Sequence, residues 1–452
     1  MKIETRTLLL LLASVFAASL ATRTDAADAA FTCREHSAAI LESLRDGRYA
    51  DATRDFDAAM TDALPAAKLQ DVWGTALPAQ VGSLQGSDAP QLSYIASGEV
   101  VETPLRFARA KLVMRVGCDK DGKVTGLFFA PAPDSADATP ATDRPANVSE
   151  TPLAVPSPLG PLPGTLTLPK GDGPFPAVVL VAGSGPNDRD ETIGPNKPFR
   201  DLAFGLAQQG IASLRYDKRT LTYGKQLAAT PLTVDDEVTD DALAALGLLR
   251  KQPKIAAGRV FVVGHSLGAL MAPRIAQRDG HLAGVVLLAA PERLDLNVVL
   301  QQLNYLKTLP GSPQAPMAAA IHEMEAARDA LAKADPTHPP TGEFFHAPAS
   351  WWLSLAHYDA IDAAHALHAP LLVLQGMADS QVPPAQDFAA WKRAFAGNPH
   401  VTLRSYPGLS HLFMPSGNPP SPADYARPAH VEPKVIGDIA AWIARQPAAA
   451  AR

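Results

Sequence analysis

The chain has 452 residues, of which 47% are hydrophobic and 19% are charged, and its formal net charge is −6 at pH 7. These values predict a globular protein that is long enough for two or three domains. The negative charge argues against nucleic acid or an anionic membrane surface as a main partner.

The first residues follow the three-part pattern of a secretory signal peptide. Lys2 and Arg6 form a basic start, residues 8–20 are an apolar run, and small residues follow up to Ala30. The apolar run is shorter than the ~20 residues that span a bilayer, so a cleaved signal is favoured over an uncleaved anchor. We therefore expect residues 1–26 to be removed, no integral membrane span to remain, and the mature chain to be periplasmic or secreted.

Residues 31–130 are predicted to form a small α+β domain. Apolar spacing predicts helices over 31–47 and 49–61 and a third helix that opens at Pro65, because proline suits the first helical position. Alternating residues then predict two strands, joined by a hairpin near Asp121-Gly122. The predicted strands are 106–116 and 124–129.

This order of helices and antiparallel strands resembles the NTF2-like domain found before some secreted bacterial hydrolases. The resemblance depends on loose motifs at 44–52, 56–57, 64–65 and 69–73. No cluster of His or carboxylate residues in this segment points to catalysis. We therefore expect residues 31–130 to be a folding or docking module.

The two cysteines, Cys33 and Cys118, both lie in this first domain. A disulfide fits a chain that is exported to an oxidising compartment. Two free thiols remain the alternative, because the sequence does not show whether the two Cα atoms approach closely enough.

A second domain is predicted over residues 151–446, after an extended linker at 131–150 that is rich in Pro, Ala, Asp, Ser and Thr. Two proline-interrupted edge strands near 153–155 and 165–167 open it. The alternation of strands and helices that follows predicts a doubly wound, mostly parallel sheet with ligands at the C-terminal ends of the strands. The predicted strands are 177–182, 211–216, 260–263, 284–290, 370–374 and 401–406, and the predicted helices include 234–250 and 433–444.

An insertion at 292–358 interrupts this alternation. It contains predicted helices over 298–308 and 316–333, followed by Trp351 and Trp352, which we expect to be exposed. A helical cap over the site is the favoured interpretation, and a surface excursion without substrate contact is the alternative.

The motif Gly264-His265-Ser266-Leu267-Gly268 follows a β-branched strand and precedes an Ala/Leu-rich helix. In that context Gly-x-Ser-x-Gly predicts a sharp, strained turn that exposes the serine hydroxyl. The glycines are expected to be needed because a side chain would collide as the turn closes. The Leu267 amide, at the start of the helix, is predicted to face a developing oxyanion.

A serine hydroxyl is a poor nucleophile near pH 7 and needs a base that a carboxylate orients. Asp379 follows a buried strand within Gly-x-x-Asp-x-x-Val-Pro, and His411 follows the next strand. Both positions lie just past strand ends, where such a sheet places its site. The sequence therefore predicts a triad of Ser266, Asp379 and His411.

A second oxyanion donor is expected from the glycine-containing loop at 183–190. By position we predict the amide of Ser184, with Gly185 as the alternative. The polar residues 187–189 either line the mouth of the site or form a salt-bridged loop.

Other candidates for the chemistry are weaker. Asp362 lies in a helical run and is expected to be solvated, and His265 is expected to shape the pocket. His365 and His368 have helical spacing, but no third ligand or zinc motif accompanies them, so core or surface histidines are favoured over a metal pair.

With Ser, Asp and His in this order, residues 151–446 resemble the α/β-hydrolase superfamily. Residues 183–190 and 214–219 are similar to its dienelactone-hydrolase and acyl-peptidase-like branch, and exported esterases share these features. Serine as nucleophile implies acyl-ester chemistry and disfavours dehalogenase, epoxide-hydrolase and true dienelactone-hydrolase activity. The resemblance implies a carboxylesterase that takes a small or medium acyl ester and needs no metal or organic cofactor. A serine peptidase or amidase, or a non-catalytic binding protein on the same scaffold, is the alternative, and the sequence leaves the oligomeric state open.

Overall fold

The computed structural model describes residues 32–88, 90–95, 98–119, 122–131, 145–227, 231–312, 314–335, 338–341, 343–345 and 347–449. The predicted signal peptide and most of the predicted linker lie outside these residues. The chain divides into two compact units, of which the first ends at Ser135 and the second begins at Ala136. Within the described ranges, no helix is both long enough and apolar enough to cross a bilayer.

The first unit begins with short helices. They are α1 Thr32–Arg45, α2 Tyr49–Ala52, α3 Ala58–Ala63, α4 Ala66–Gln70 and α5 Leu77–Val81, with a π-helical turn at Asp71–Ala76. The single helix predicted over 49–61 is wrong, because Phe56 leaves the helical path to bridge to Val124. Asp57 then starts a new helix, since its side chain accepts a hydrogen bond from Met60 N (2.6 Å).

An antiparallel sheet follows in the first unit. Its strands are β1 Leu84–Ser87, β2 Gln91–Ile95, β3 Gly98–Phe107, β4 Lys111–Cys118 and β5 Val124–Pro131, in the order β1-β3-β4-β5 with β2 on β3. The strand predicted over 106–116 is wrong, because two strands meet within it: β3 ends at Phe107, and its residue Arg106 pairs with Lys111 at the start of β4. The turn between them, Ala-Arg-Ala, contains no Gly, Pro, Asn or Asp that would have marked it.

The core of the first unit lies between α1 and the sheet. Leu44 of α1 and Met114 of β4 are among its buried residues, and Trp73 packs edge-on against Phe107 with ring centroids 5.9 Å apart. A disulfide joins Cys33 to Cys118, whose Cα atoms are 5.7 Å apart. Of the two possibilities that the sequence left open, the structure has the disulfide.

The second unit contains an eight-stranded sheet in the order β15-β14-β11-β10-β8-β9-β7-β6. The six strands from β15 to β9 are mutually parallel, and β7 and β6 are antiparallel additions at one side. The strands are β6 Val148–Val155, β7 Leu162–Pro169, β8 Phe175–Val181, β9 Ala212–Tyr216, β10 Ile255–His265, β11 Gly284–Leu288, β14 Leu371–Gly376 and β15 Val401–Tyr406.

Helices cover both faces of this sheet. They are α6 Pro198–Gln208, α7 Arg219–Thr222, α8 Gly224–Leu227, α9 Asp240–Arg250 after a π-helical turn at Asp235–Thr239, α10 Leu267–Asp279, α14 Ala360–His365, α15 Asp387–Ala394 and α16 Pro433–Arg445. One core contains residues of α9, α10 and α15, and the other contains residues of α6 and α16. The predicted fold class, a doubly wound and mostly parallel α/β sheet with a separate α+β unit, is confirmed.

One predicted edge strand is an interior strand. β6 is at the edge, but β7 lies between β6 and β9, and its residues 164–167 pair with β9. Pro163 and Pro169 stand outside that paired segment, so neither proline removes a donor from the ladder with β9.

The insertion after β11 folds into α11 Leu296–Thr308, α12 Gln314–Ala332, a ribbon of β12 Glu343–Phe344 and β13 Ala347–Pro348, and α13 Ala349–Leu355. The predicted exposure of its two tryptophans is wrong, because Trp351 and Trp352 are only 4% and 8% exposed. Each indole N–H has an acceptor: Trp351 donates to the buried Glu237 Oε2, and Trp352 donates to Phe344 O within the insertion, both at 2.6 Å. The insertion therefore packs onto the rest of the second unit instead of projecting from it.

Candidate active site

The turn between β10 and α10 holds Ser266 in a backbone conformation that L-residues rarely adopt, with φ 52° and ψ −115°. Its amide donates to Leu288 O of β11 (2.9 Å), and its carbonyl accepts from Leu270 N of α10 (2.9 Å). Such a conformation costs about 1–3 kcal/mol and persists where the surroundings fix it, typically at functional sites.

The two glycines of the motif allow this turn to form. A Cβ at Gly264 would lie 2.2 Å from Gly268 O, and a Cβ at Gly268 would lie 2.0 Å from Val181 O of β8. Both distances are far below van der Waals contact, so only glycine lets α10 start this close to the strands.

Asp379 and His411 come together beyond the ends of β14 and β15. His411 Nδ1 lies 2.8 Å from Asp379 Oδ2, and both side chains are buried. The other contacts of the carboxylate are hydrogen-bond donors: Gln381 N (2.8 Å) and Val382 N (2.9 Å) donate to Oδ1, and Gln375 Nε2 (2.9 Å) donates to Oδ2. An ionised Asp379 can only accept, so His411 Nδ1 carries the proton and Nε2 is left as the basic nitrogen.

Ser266 and both predicted oxyanion residues, Ser184 and Leu267, line one cavity of about 290 Å³. The insertion supplies many of the residues that line this cavity, so it lies against the cavity that Ser266 lines, as a cap would. The residues from the insertion are Leu294, Val298, Val299, Gln302, Phe345, Ala347, Pro348, Trp351 and Trp352. The wall is mostly apolar, as in pockets that bind small organic ligands.

The loop after β8 presents backbone amides to this cavity. The Gly183 amide is already used, since it donates to Glu191 Oε1 (2.7 Å). The amides of Ser184 and Leu267 donate to no acceptor within the part of the chain that the structure describes. Free amides at the cavity and at a helix start are suited to stabilise an oxyanion.

Residues 187–189 form hydrogen bonds within this segment of the chain and an ion pair to Asp217 beyond β9. Arg189 Nε and Nη2 donate to Asp217 Oδ1 and Oδ2 at 2.8 and 2.9 Å. Asn187 Nδ2 donates to Ser184 O (3.0 Å), and Asp188 accepts from Thr192 N (2.8 Å). Of the two interpretations left open by the sequence, the structure therefore has the salt-bridged loop.

A charged residue that lines the cavity and its buried partner were not predicted. Glu237 lines it, and Lys218 Nζ lies 2.7 Å from Glu237 Oε1 and donates to Gly183 O (2.8 Å). Both side chains are buried. Lys218 lies in the segment 214–219 noted for its similarity to other hydrolases, but its partner is 19 residues further along the chain and no local pattern marks it.

The residues that the sequence marked as weaker candidates for the chemistry do not line the cavity. Asp362 is exposed on α14, and the ring of His365 stacks on Phe395 with centroids 4.3 Å apart. No group of three or more potential metal ligands occurs among the described residues. His265 is buried between Glu191 and the backbone of His411.

Residues 197–415 match the family model described as serine aminopeptidase, S33. Across a larger part of the chain, 378 residues are 36% identical to esterase EstD of Thermotoga maritima, which is 83% of this chain and 87% of that protein. This chain belongs to the family of esterase EstD. The predicted resemblance to the α/β-hydrolase superfamily is thus confirmed.

The first unit of this EstD-family chain matches a family model of its own. Residues 37–127 match the model described as a protein of unknown function, DUF3887, which is consistent with the predicted NTF2-like domain.

Solved structures that resemble this chain have a lower sequence identity to it than esterase EstD has. Est1E of Butyrivibrio proteoclasticus with ferulic acid bound is 16% identical, with 65% of this chain and 98% of that chain covered and a TM-score of 0.44. An esterase of Pyrobaculum calidifontis is also 16% identical, with 65% and 85% covered and a TM-score of 0.41.

Proposed function

We propose that this member of an esterase family is a carboxylesterase that cleaves small or medium acyl esters with Ser266, His411 and Asp379. The hydrogen bond between His411 Nδ1 and Asp379 Oδ2, beside the turn that holds Ser266, carries the proposal. It supports a histidine held in the tautomer that leaves Nε2 able to accept a proton from the serine hydroxyl.

In the proposed reaction, Ser266 Oγ attacks the ester carbonyl while His411 Nε2 takes its proton. The carbonyl oxygen becomes an oxyanion, to which the amides of Ser184 and Leu267 donate. The carbon–oxygen bond to the alcohol then breaks, and the alcohol leaves with the proton from His411. Water, deprotonated by His411, attacks the acyl-enzyme and releases the acid and Ser266.

The size and polarity of the cavity support a small or medium acyl group. About 290 Å³ is at the lower end of the volumes of small-molecule pockets, which run from about 300 to 1,000 Å³. Trp351 and Val298 give the wall apolar surface for an acyl chain.

A serine aminopeptidase is the second candidate, which the match of residues 197–415 favours. A free amino terminus is best bound by an uncompensated carboxylate. Glu237 is the only carboxylate among the described residues that line the cavity, and it is paired with Lys218 (2.7 Å). This pairing is the reason to prefer an ester over an aminopeptidase substrate.

The Ser266→Ala variant tests the nucleophile. We expect it to keep the far-ultraviolet circular dichroism of the parent and to lose turnover of p-nitrophenyl butyrate and labelling by a fluorophosphonate probe. Ser405→Ala, on the exposed side of β15, is the matched control and should keep both. Comparison of butyryl esters, longer acyl esters and aminoacyl amides separates the two candidate activities. Turnover by Ser266→Ala at the parental rate would exclude both activities by this mechanism, and an unlabelled parent would favour a non-catalytic scaffold.

We further propose that the protein is exported after cleavage behind residue 26, on the basis of the amino-terminal pattern. The test is expression of the full chain, cell fractionation and mass measurement of the mature protein. A periplasmic or secreted form that starts at residue 27 is expected. A cytoplasmic protein that retains Met1 would exclude export.

A further inference from the structure

Glu191 is a buried acid in the loop that follows β8, and its role is not explained by the proposed reaction. It has a φ of 52° and is 2% exposed. Its Oε1 accepts from Gly183 N (2.7 Å) and lies 2.9 Å from His265 Nδ1. The other oxygen, Oε2, is buried and has no hydrogen-bond partner among the described residues. The carboxyl group is therefore enclosed by protein, and its hydrogen bonds within the described residues are made by Oε1 alone.

His265 precedes the proposed nucleophile and is 5% exposed. Its Nδ1 faces Glu191 Oε1, and its Nε2 lies 3.0 Å from the main-chain oxygen of His411. Both neighbours are acceptors when Glu191 is ionised. Both contacts are hydrogen bonds only when both ring nitrogens carry a proton, which makes the ring an imidazolium cation.

The charged surroundings of His265 favour that cation. Burial lowers the pKa of His265, but the Glu191 carboxylate, the hydrogen bond to His411 O and the charge of Asp379 together raise it above the ordinary 6.5. The ring of His411 also faces it, with centroids 4.6 Å apart, and Lys218 approaches the same loop through Gly183 O. A buried cation is tolerated when a hydrogen-bonded counter-charge accompanies it, and Glu191 provides one.

We propose that His265 and Glu191 are positioning residues that, as a cation and an anion, hold the loops of His411 and Ser184 against the turn of Ser266. This role rests on the proposed function, because it acts through the proposed base and oxyanion donor. Glu191 fixes the amide that precedes Ser184, and His265 fixes the main chain of His411. Neither residue is among the described residues that line the cavity, so both act through their neighbours.

The pair makes the site sensitive to alkaline pH. When His265 loses a proton it retains one N–H, so it keeps the hydrogen bond either to Glu191 or to His411 O and loses the other. The loop of His411 is then held less well. Displacement of a reacting group by about 1 Å can lower a rate by about 100-fold.

Glu191→Gln is the test, because glutamine retains the size and an acceptor oxygen and removes the counter-charge. We expect kcat for p-nitrophenyl butyrate to fall by about 10- to 100-fold, KM to stay at the parental value, and the alkaline decline of kcat to begin at a lower pH. The matched control is Asp279→Asn, which breaks the ion pair with Arg250 (2.6 Å) at the far end of α10. The control should keep the parental kcat and pH profile.

A second measurement is made on the parent and does not depend on how well Glu191→Gln folds. Histidine labelled with ¹³C at Cε1 is titrated by NMR, and His265 is assigned by the signal that His265→Gln lacks. A cationic His265 at pH 7 is expected. Three results would overturn the positioning role. They are a neutral His265 at pH 7, a parental kcat and pH profile in Glu191→Gln, and a loss of kcat in Asp279→Asn equal to that in Glu191→Gln. The Ser266→Ala variant separates the two proposals. Full turnover by this variant would exclude the proposed triad. If Ser266→Ala is inactive and Glu191→Gln behaves like the parent, only the role of the His265–Glu191 pair is excluded.

Discussion

Asp379 Oδ2 lies 2.8 Å from His411 Nδ1 and also accepts a hydrogen bond from Gln375 Nε2 (2.9 Å). With two backbone amides on Oδ1, the carboxylate is surrounded by hydrogen-bond donors, which fixes its orientation. The orientation of the His411 imidazole is therefore tied to Asp379 through this hydrogen bond.

Asp379→Asn should reverse the proton preference of the imidazole. The amide of the new side chain donates where the carboxylate accepted, so the proton moves to Nε2 and that nitrogen can no longer act as a base. We expect kcat for p-nitrophenyl butyrate to fall by about 10⁴-fold with the fold retained. Asp362→Asn, at an exposed position of α14, is the control with unchanged kcat. A parental kcat in Asp379→Asn would contradict the proposed triad.

Trp351→Leu should change the preference for acyl length. The indole lines the cavity, so its replacement opens space for a longer chain. One methylene in such a pocket changes discrimination by roughly 10-fold or more, so the ratio of kcat/KM for octanoyl over butyryl esters should rise by at least about that factor. The variant also leaves Glu237 Oε2 without its indole donor, which should lower the free energy of unfolding by about 1–3 kcal/mol.

Trp442→Leu is the matched control for this change. Trp442 is 2% exposed on α16, in the core on the other face of the sheet from α9 and α10. It should lose stability and keep the parental preference for acyl length. If both variants change the preference for acyl length equally, the change comes from a general loss of stability, and Trp351 does not determine which acyl length is preferred.

The sequence predicted those parts of the molecule that local patterns determine. The buried strands of a parallel sheet are continuous apolar runs, and the range predicted over 401–406 is the range of β15. The loops that bear Ser266, Asp379 and His411 follow such strands directly, so the site residues could be named from strand ends and loop motifs.

Contacts between distant segments could not be predicted in this way. Glu191 meets His265 74 residues further along the chain, and Trp351 meets Glu237 across 114 residues. Trp351 was expected to be exposed because its hydrogen-bond acceptor, Glu237, lies on another element that the local sequence does not reveal. The prediction of a single helix over 49–61 was wrong because of another distant contact: Phe56 bridges to Val124, at the start of β5, and the helix is interrupted there.

The disulfide between Cys33 and Cys118 should stabilise the first unit. It closes a loop across 85 residues, which restricts the unfolded chain. Replacement of both cysteines by serine is expected to lower the free energy of unfolding by about 2–5 kcal/mol. Hydrogen exchange of peptides from β3 and β4 measures the change, and parent protein treated with reductant should show the same loss of protection. Equal protection with and without the disulfide would contradict the prediction.

Asp387 should destabilise the folded protein at neutral and alkaline pH. It begins α15 at 4% exposure, and its Oδ1 accepts from Glu292 N (2.8 Å). Burial, together with the charges of Glu292 and Asp379, raises the pKa of Asp387 from 3.8 to about 6. Because the unfolded chain releases this proton at a lower pH than the folded one, the stability contributed by this group falls as the pH rises from about 4 to 6.

Asp387→Asn keeps the acceptor oxygen and removes the charge, so the variant should be more stable than the parent at pH 8 and similar to it near pH 4. The difference at pH 8 should be on the order of 3 kcal/mol, since the pKa is raised by about two units and each unit corresponds to about 1.36 kcal/mol. Thermal unfolding of both proteins across this range measures it.

Asp438→Asn is a control of opposite sign. Burial raises the pKa of Asp438, but hydrogen bonds from Arg404, Lys434 and Tyr406 outweigh it and hold the pKa below 3.8. The stability from this carboxylate is therefore present above that pH and is lost on acidification. Asp438→Asn should accordingly lower the melting temperature at pH 8, where Asp387→Asn raises it. A decrease in both variants at pH 8 would show that loss of any carboxylate destabilises this unit, and the cost assigned to the buried charge of Asp387 would be wrong.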